Sequence, residues 1–414
     1  MAHRSQSLSP LPDIAPPSTQ NTLQKHSYSM KGVNPPPIRI RETVEIQQHE
    51  ADSYARLLLL NQCYEAMPTS SKMVVFDQDL LLRKAFNGLI YQCTRHVLLS
   101  DGTLGGLITG ILSVTDFIRV MLRLHRERAF LETQVTADLS NEHEDIGKLT
   151  IRTYRELCQK EGKLLPLISI DADKSLLEAA RLLAKYHIHR LPVMDPESGS
   201  PLFILTHKRL LKFIWCFGQQ FSNPEYHIKT AKELGVGTWV GIRVVFPDTP
   251  LVDCLDILMN KGVSGLPVVE RDSFKVVDIY SRFDAVGIAC EDREDSLDCT
   301  VAEALAFKNS FKTEDRVVSV RDTDTLWKAI TVLVERNVHR LCAVNEHGAI
   351  EGVISLSDVI NHMVVLPGVG LKPKQPKRRH YSHHQGGDLS DGDLRALLNE
   401  SAQMLEEEAT HNNH

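Results

Sequence analysis

An internal repeat constrains the fold of this chain more than any other feature of its sequence. Four aligned segments begin at Leu80, Ser175, Pro250 and Asp324. Each combines a helix of 3.6-residue apolar spacing, a β-branched strand, a polar turn, a second strand and a second helix. A further short strand precedes the first helix of each copy, as "MVVF", "PLISI", "IRVVF" and "RVVSV". The recurring order β-α-β-β-α predicts an α/β protein built from four tandem repeats.

One copy alone has too small a core for independent stability, because a chain of about 60 residues buries only about 60% of its unfolded surface. We therefore expect the copies to pack in pairs, the first with the second and the third with the fourth. The predicted copies span residues 66–128, 148–218, 234–295 and 300–366.

Two segments flank the repeats. Residues 1–50 are rich in Ser, Pro and Gln, which predicts disorder. Residues 367–414 begin with the basic run "KPKQPKRRHYSHH" and end in an acidic stretch in which leucines at positions 394 to 405 have helical spacing. For the basic run we consider a nuclear targeting signal, a phosphate-binding patch and a solvated tail.

The overall composition excludes several classes of protein. The formal net charge of -6 gives no global basis for binding nucleic acid or an anionic membrane. The eight cysteines contain no CxxC pair, which favours free thiols in a reducing compartment over disulfides or zinc ligands. Because the sequence has neither a signal peptide nor an apolar run of about 18 residues, we expect a protein without membrane spans in the cytoplasm, with the nucleus as a second location.

Two positions recur in all four copies. One directly precedes the first strand of the predicted hairpin, and its residues are Arg95, His189, Ser264 and His339. The other is an S/T-x-x-D pattern that opens the second helix, as Ser113–Asp116, Thr206–Arg209, Ser281–Asp284 and Ser355–Asp358. Only the second copy departs from this pattern, because Arg209 replaces the acid.

The S/T-x-x-D pattern has a purely structural interpretation. It is a helix capping box, and an acid also suits the positive end of the helix dipole. For any single copy this is the simpler interpretation. The second copy argues against it, because the cation Arg209 is unfavourable for the cap and for the dipole although the helix pattern is intact. The position therefore distinguishes an anion from a cation for another reason.

A ligand with a diol and a phosphate accounts for both positions. A carboxylate accepts hydrogen bonds from both hydroxyls of a ribose, which an arginine cannot do. Free N–H groups at a helix start, with the pairs His189–Arg190 and His339–Arg340 nearby, suit a phosphate. We predict that Asp116, Asp284 and Asp358 can each hold a ribose, that the second copy cannot, and that the two His-Arg pairs face an anion across a pseudo-symmetric centre.

Catalytic interpretations find no support in the sequence. It contains neither a GxxxxGK[ST] phosphate loop nor GxGxxG, and no Cys/His cluster has metal spacing. "HRLPVMD" is not a kinase catalytic loop, because Asp195 comes too late. Because the sequence shows no nucleophile and no general base with a partner, we predict that the chain is not an enzyme.

These motifs resemble the cystathionine-β-synthase (CBS) repeat family, and within it the γ regulatory subunits of AMP-activated protein kinase. The resemblance covers about residues 50–366, and it rests on "PTSSKMVVFD", "HIHRLPVMDPESG", "ILTHKRLLKF", "VVDIYSRFD", "NVHRL" and "ISLSD". It implies two CBS pairs packed as a flat disc, with AMP, ADP or ATP bound competitively around a central channel. It further implies a heterotrimer with a catalytic α kinase subunit and a bridging β scaffold subunit.

The resemblance also implies roles for individual residues. Arg95, His189, Arg190, Lys208, His339 and Arg340 would hold phosphates, with Lys308 as an addition. Hydroxyl contacts would come from Ser264, Ser281, Ser355 and Ser357. Adenine would lie against Leu112, Ile168, Thr238, Val263 and Val318. Ser113, Thr115, Thr206, Arg282 and Leu356 complete the nucleotide-binding set, and Arg209 would mark an empty site.

The chain departs from the family pattern mainly in its third copy. Gly262 replaces a basic residue that is common there, and Arg243 stands where a small residue usually lines an adenine pocket. The site around Asp284 is therefore the one whose affinity is expected to differ. The alternative to a nucleotide sensor is a CBS scaffold that assembles a complex without binding nucleotide.

Overall fold

The computed structural model describes residues 52–92, 94–133, 149–218, 221, 223–286, 297–309 and 317–372, with the backbone alone at 128–133 and 307–309. The predicted disordered segment 1–50 and most of the predicted C-terminal tail, with its helix, lie outside the described residues. The side chain of Lys308 lies outside them as well.

The described chain alternates helices and strands in four successive units. The strands are β1 (Val75–Asp77), β2 (His96–Asp101), β3 (Leu107–Ser113), β4 (Ile170–Asp171), β5 (Leu191–Met194), β6 (Pro201–Leu205), β7 (Gly265–Val269), β8 (Val276–Ser281), β9 (Ser319–Arg321), β10 (Arg340–Val344) and β11 (Ile350–Ser355). The helices are α1 (Ser53–Leu60), α2 (Leu82–Tyr91), α3 (Val114–Thr133), α4 (Ile151–Lys160), α5 (Leu176–Lys185), α6 (His207–Phe217), α7 (Pro224–Ile228), α8 (Leu251–Asn260), α9 (Val301–Asn309), α10 (Leu326–Glu335) and α11 (Leu356–Ile360). Short 3-10 helices cover Cys63–Ala66, Gly102–Leu104 and Arg282–Asp284, and a π-helix covers Asn361–Val365.

The same sheet topology recurs in every unit, as the repeat predicted. In three units an edge strand pairs in parallel with a central strand, which pairs antiparallel with its hairpin partner; the orders are β1-β2-β3, β4-β5-β6 and β9-β10-β11. In the third unit a single parallel bridge between Val245 and Val268 takes the place of the edge strand beside β7 and β8. A helix with one buried apolar face joins the edge strand to the central strand in each unit, which is the connection that parallel strands require.

The hydrophobic cores join the repeats in a second way that the sequence pattern did not predict. The largest core combines α1 with the helices and strands of the second and fourth repeats, for example Leu177, Leu211 and Leu333. A second core packs α3 of the first repeat against the third repeat, through residues such as Ile118 and Leu255. The predicted partners also touch, since Ile350 N donates to Phe274 O at 3.0 Å between the fourth and third repeats. Each repeat is thus buried against more than one neighbour.

Two further observations bear on the compositional predictions. Among the described cysteines, Cys63, Cys158, Cys216, Cys254 and Cys342 are free thiols. Within the described ranges, no helix has both the length and the apolarity that a membrane crossing needs.

Candidate functional site

The hairpin register brings the two recurring sequence positions together. In the first repeat His96 pairs with Ser113, in the third Gly265 pairs with Ser281, and in the fourth Arg340 pairs with Ser355. The residue before the first strand and the start of the second helix therefore lie side by side at the open end of each hairpin. The backbone closes this junction, because Val114 N donates to Arg95 O at 3.2 Å and Leu356 N donates to His339 O at 3.1 Å.

These hairpin ends, contributed by all four repeats, enclose one cavity with about 870 Å³ of empty volume, which we call the shared cavity. Its lining consists of Arg95, Ser113, Val114, Thr115, His189, Arg190, Thr206, His207, Lys208, Ser264, Ser281, Arg282, Phe283, His339, Arg340, Ser355, Leu356 and Ser357. Five of these residues are cations and none is an acid. Such a concentration of one sign of charge inside a protein favours an anionic ligand.

Hydrogen bonds across the shared cavity tie the repeats together. Arg95 of the first repeat donates to Nε2 of His339 in the fourth at 3.0 Å. Arg340 of the fourth repeat donates to Oγ of Ser264 in the third at 2.6 Å. Arg282 of the third repeat donates to Oγ1 of Thr115 in the first at 3.1 Å. The cations that were predicted to bind phosphate thus also couple separate repeats.

Arg190 differs from the other arginines of the cavity. It has no hydrogen bond or ion pair with any residue that the structure describes. Burial and the neighbouring charge of Arg95 lower the pKa of Arg190 to about 10. A guanidinium held in this way carries a desolvation cost that a bound anion would offset.

The imidazoles of the cavity are held in the neutral form. Burial, together with the charge of Arg190, lowers the pKa of His189 to about 4. Burial and the charges of Arg95 and Lys208 lower the pKa of His339 to about 3. Both side chains are exposed to the cavity, and the surrounding protein together with its cations disfavours the charged imidazole. An anion in the cavity would favour their protonated forms.

Small residues of the third repeat make room for the fourth. A Cβ at Gly265 would lie on the Arg340 guanidinium, so that only glycine permits this approach. The departure at Gly262 also has a local reason, because its φ is 67° at the end of α8. His187 and Asn337, two residues before His189 and His339, have the same left-handed backbone. The position therefore ends the preceding helix, which glycine does without strain.

A second cavity, with about 1090 Å³ of empty volume, adjoins the first; we call it the Asp116 cavity. It lies between the first and second repeats and has a mainly apolar wall, formed by Ile111, Leu112, Leu164, Leu165, Pro166, Leu167, Ile168 and Ile188. The two cavities share Ser113, Thr115, His189, Arg190 and Arg282. A planar apolar group can therefore lie beside Asp116 while an attached anion reaches the shared cations.

In the structure, capping the helix and binding a ligand are compatible roles for the three acids. Asp116, Asp284 and Asp358 each accept the backbone N–H and the hydroxyl of the serine three residues earlier through Oδ2, at 2.6 to 3.0 Å. The capping box is complete in the third and fourth copies, and in the first copy Ser113 Oγ accepts from Thr115 N at 3.3 Å instead of from Asp116 N. In all three copies the contact to the serine occupies one carboxylate oxygen and leaves Oδ1 for other contacts.

The second repeat confirms that Arg209 does something different. Thr206 still caps α6, since its Oγ1 accepts from Arg209 N at 3.3 Å. The Arg209 side chain instead donates from Nε to the carbonyl of Ala66, which ends a 3-10 helix ahead of the first repeat. The Arg209 side chain therefore bonds to a backbone carbonyl of the protein, in contrast to the acids at the equivalent positions.

Not every predicted site residue lines a cavity. Asp284 is only 4% exposed, and Asp358 is half-buried; neither lines the shared cavity or the Asp116 cavity. Of the predicted adenine contacts, Leu112 and Ile168 line the Asp116 cavity. Thr238 forms a bridge to Val353, and the carbonyl of Val263 accepts from Arg282 at 3.0 Å. Val318 packs against the largest core.

Sequence reasoning missed several residues of the site. His96, His207 and Phe283 belong to the junctions of the repeats. They directly follow Arg95, Thr206 and Arg282, and this adjacency was the available signal for them. Tyr154, Arg155 and Lys163 of the Asp116 cavity were missed because they lie at the start of the second predicted copy, outside the aligned segments. No repeated pattern marks these three residues.

Comparison with protein families identifies the repeat. A model of the CBS domain matches residues 162–215, 240–289 and 313–365. These segments fall within the second, third and fourth repeats. The first repeat has the same strand order in the structure although the model does not match it.

Curated relatives extend the similarity over most of the chain. The γ-3 subunit of 5′-AMP-activated protein kinase from Sus scrofa is 38% identical over 323 residues, which cover 78% of this chain and 60% of that protein. The γ-3 subunit from Homo sapiens is also 38% identical over 323 residues, covering 78% and 63%. The chain thus spans about three fifths of the length of these relatives.

A solved structure supports the fold. A protein from Methanocaldococcus jannaschii, described as a candidate archaeal homologue of the γ subunit of AMP-activated kinase, superposes with a TM-score of 0.55 at 16% identity. The superposition covers 73% of this chain and 99% of that chain.

Proposed function

Because the chain belongs to the CBS-repeat proteins and resembles the γ subunits of AMP-activated protein kinase, we propose that it is an adenine-nucleotide-sensing regulatory subunit of such a kinase. One observation carries this proposal. The Asp116 cavity, with its carboxylate and apolar wall, opens beside a shared cavity that holds five cations and no acid. This is the arrangement that a nucleoside phosphate requires.

The proposed binding mode assigns each part of a nucleotide to one region. Adenine lies against the apolar wall near Leu112 and Ile168. The ribose diol donates to Asp116, and the phosphate meets His189, Arg190 and the helix start at Ser113. Leu112 and Asp116 are positioned by the end of β3 and the start of α3, and His189 and Arg190 directly precede β5.

AMP, ADP and ATP compete in this proposal because their phosphates use the same cations. AMP brings about two negative charges and ATP about twice that. A longer phosphate chain reaches further into the shared cavity and contacts cations from additional repeats. Since Arg95, Arg282 and Arg340 already connect repeats, each nucleotide favours a different set of inter-repeat contacts.

Regulation would act through partners rather than through chemistry in this chain. We propose a catalytic kinase subunit and a scaffold subunit as partners and a cytoplasmic location. A nucleotide can shift the activity of the kinase only if it binds the chain with different affinities in the active and inactive complexes. The chain itself would have no catalytic role.

A scaffold without ligand remains the second candidate, favoured by the capping boxes that occupy one oxygen of each acid. Equilibrium binding of labelled AMP to the purified chain, followed by displacement with ATP, separates the two. We expect saturable binding at micromolar concentration and complete displacement. No saturable binding of AMP or ATP would establish the scaffold in its place.

A further inference from the structure

The geometry points to Arg119 as a residue that determines the specificity of the Asp116 cavity for the sugar; this inference rests on the proposed function. Arg119 lies one turn after Asp116 on α3, and its Nη1 donates to Asp116 Oδ1 at 3.2 Å. That oxygen is the one left over by the capping box. The ribose diol and Arg119 therefore compete for the same carboxylate oxygen.

The three capping acids differ in this contact. Asp358 has the same Oδ2 contacts as Asp116, yet its Oδ1 accepts no hydrogen bond from the residues that the structure describes. Asp116 Oδ1 additionally receives the hydroxyl of Tyr154 at 3.5 Å. Burial and the Asp116 charge raise the pKa of Tyr154, so its hydroxyl stays a donor. Asp116 Oδ1 thus accepts hydrogen bonds from both Arg119 and Tyr154.

The Arg119 side chain also has space to move when a sugar binds at Asp116. Its side chain is 32% exposed and lines both the Asp116 cavity and an adjoining third cavity of about 690 Å³ between α3 and α4. The lining of the third cavity includes two acids, Glu127 and Glu161, which already pair with Arg123. Because Arg119 is already partly exposed, a guanidinium displaced from Asp116 can be hydrated at the mouth of these cavities.

The consequence is a site in which Arg119 weakens ribose binding relative to an unpaired carboxylate. Removing Arg119 should favour a ligand with two hydroxyls over one with a single hydroxyl, because only the diol uses the released oxygen fully. The ion pair is partly exposed, and such pairs contribute about 0.2–1 kcal/mol, which corresponds to at most about a fivefold change in affinity.

The test compares AMP with 2′-deoxy-AMP by calorimetric titration of the full chain. We expect Arg119→Ala to raise the ratio of the two affinities about two- to fivefold. Arg126→Ala removes an equal charge from the same helix, but Arg126 pairs with Asp256 of the third repeat, so the ratio should not change. In an Asp116→Ala background, Arg119→Ala should also leave the ratio unchanged.

The outcomes separate this inference from the proposed function. If the wild-type chain binds AMP but Arg119→Ala leaves the ratio unchanged or lowers it, the inference is wrong and the proposed function stands. An equal rise in the Asp116→Ala background would likewise overturn the inference. If the wild-type chain binds neither nucleotide, both fail.

Discussion

The first and third repeats share the Ser-x-x-Asp motif, but the acid of the motif has different surroundings in the two repeats. Ser113–Asp116 and Ser281–Asp284 form the same capping contacts, at 2.9 and 3.0 Å and at 2.6 and 2.7 Å. Asp116 faces a cavity, with its side chain 21% exposed, whereas Asp284 is buried at 4%. The motif alone therefore does not decide whether the acid can meet a ligand.

The surroundings explain the difference. Beside Asp116, α4 and the loop at 163–168 stand away from the helix start and leave a cavity. In the third repeat Arg282 turns inward and donates to the carbonyls of Leu258 and Val263, both at 3.0 Å. Asp284 lines neither the shared cavity nor the Asp116 cavity, so the open arrangement beside Asp116 is not repeated there.

If Asp284 serves the fold, its removal should cost more stability than removal of Asp116. Asp284→Ala leaves the Ser281 N–H and hydroxyl without their acceptor in a buried place, which should lower the free energy of unfolding by about 1–3 kcal/mol. Asp116→Ala should lower it by about 1 kcal/mol, the usual value of a cap. Urea unfolding of both variants measures this, and equal losses would remove the distinction.

If Asp116 serves a ligand, its removal should affect binding most. We expect Asp116→Ala to weaken AMP binding at this cavity about ten- to a hundredfold, since charge-assisted hydrogen bonds contribute about 1.5–3 kcal/mol. Arg209→Ala should leave the stoichiometry unchanged, because the second repeat has no carboxylate at this position to accept a ribose. Isothermal titration calorimetry gives both quantities. Similar losses from both substitutions would support the capping interpretation alone.

Asp284 is expected to matter for stability, whereas Arg190 is expected to matter for binding and not to stabilise the fold. The reason is that Arg190 has no partner among the described residues. Arg190→Met should raise the free energy of unfolding of the ligand-free chain by about 1 kcal/mol and weaken AMP binding about tenfold. Arg336→Met, at the exposed end of α10, is the matched control and should change neither. A destabilised Arg190→Met variant would mean that Arg190 supports the fold.

The smallest expected effect is a pH dependence of binding. His189, with its pKa lowered to about 4 chiefly by burial, is neutral at pH 7 without ligand. A bound phosphate raises that pKa, so binding takes up protons and affinity rises as the pH falls. From about pH 8 to 6.5, above the second phosphate ionisation near 6, AMP should bind at most a few times more tightly. Calorimetry in two buffers of different ionisation enthalpy measures the proton uptake, and His189→Gln should reduce it; affinity that rises with pH would contradict the assignment.

The sequence predicted the repeat, the strand order and the resemblance to γ subunits, all of which are confirmed. These depend on local periodicity, which each copy repeats. The cavity residues Arg95, His189, Arg190, His339 and Arg340 could also be predicted, because hairpin pairing fixes which positions meet. The burial of Asp284 and the walls formed by Tyr154 and Arg155 could not, since they depend on how non-equivalent segments pack around each repeat.

The central claim is that the Asp116 carboxylate binds a sugar in addition to capping its helix. A crystal structure of the chain with AMP tests it most directly. We predict ribose hydroxyls on Asp116 Oδ1, Arg119 turned away, and the phosphate among Ser113, His189 and Arg190. A nucleotide bound elsewhere, with Asp116 Oδ1 still held by Arg119 and Tyr154, would contradict the account.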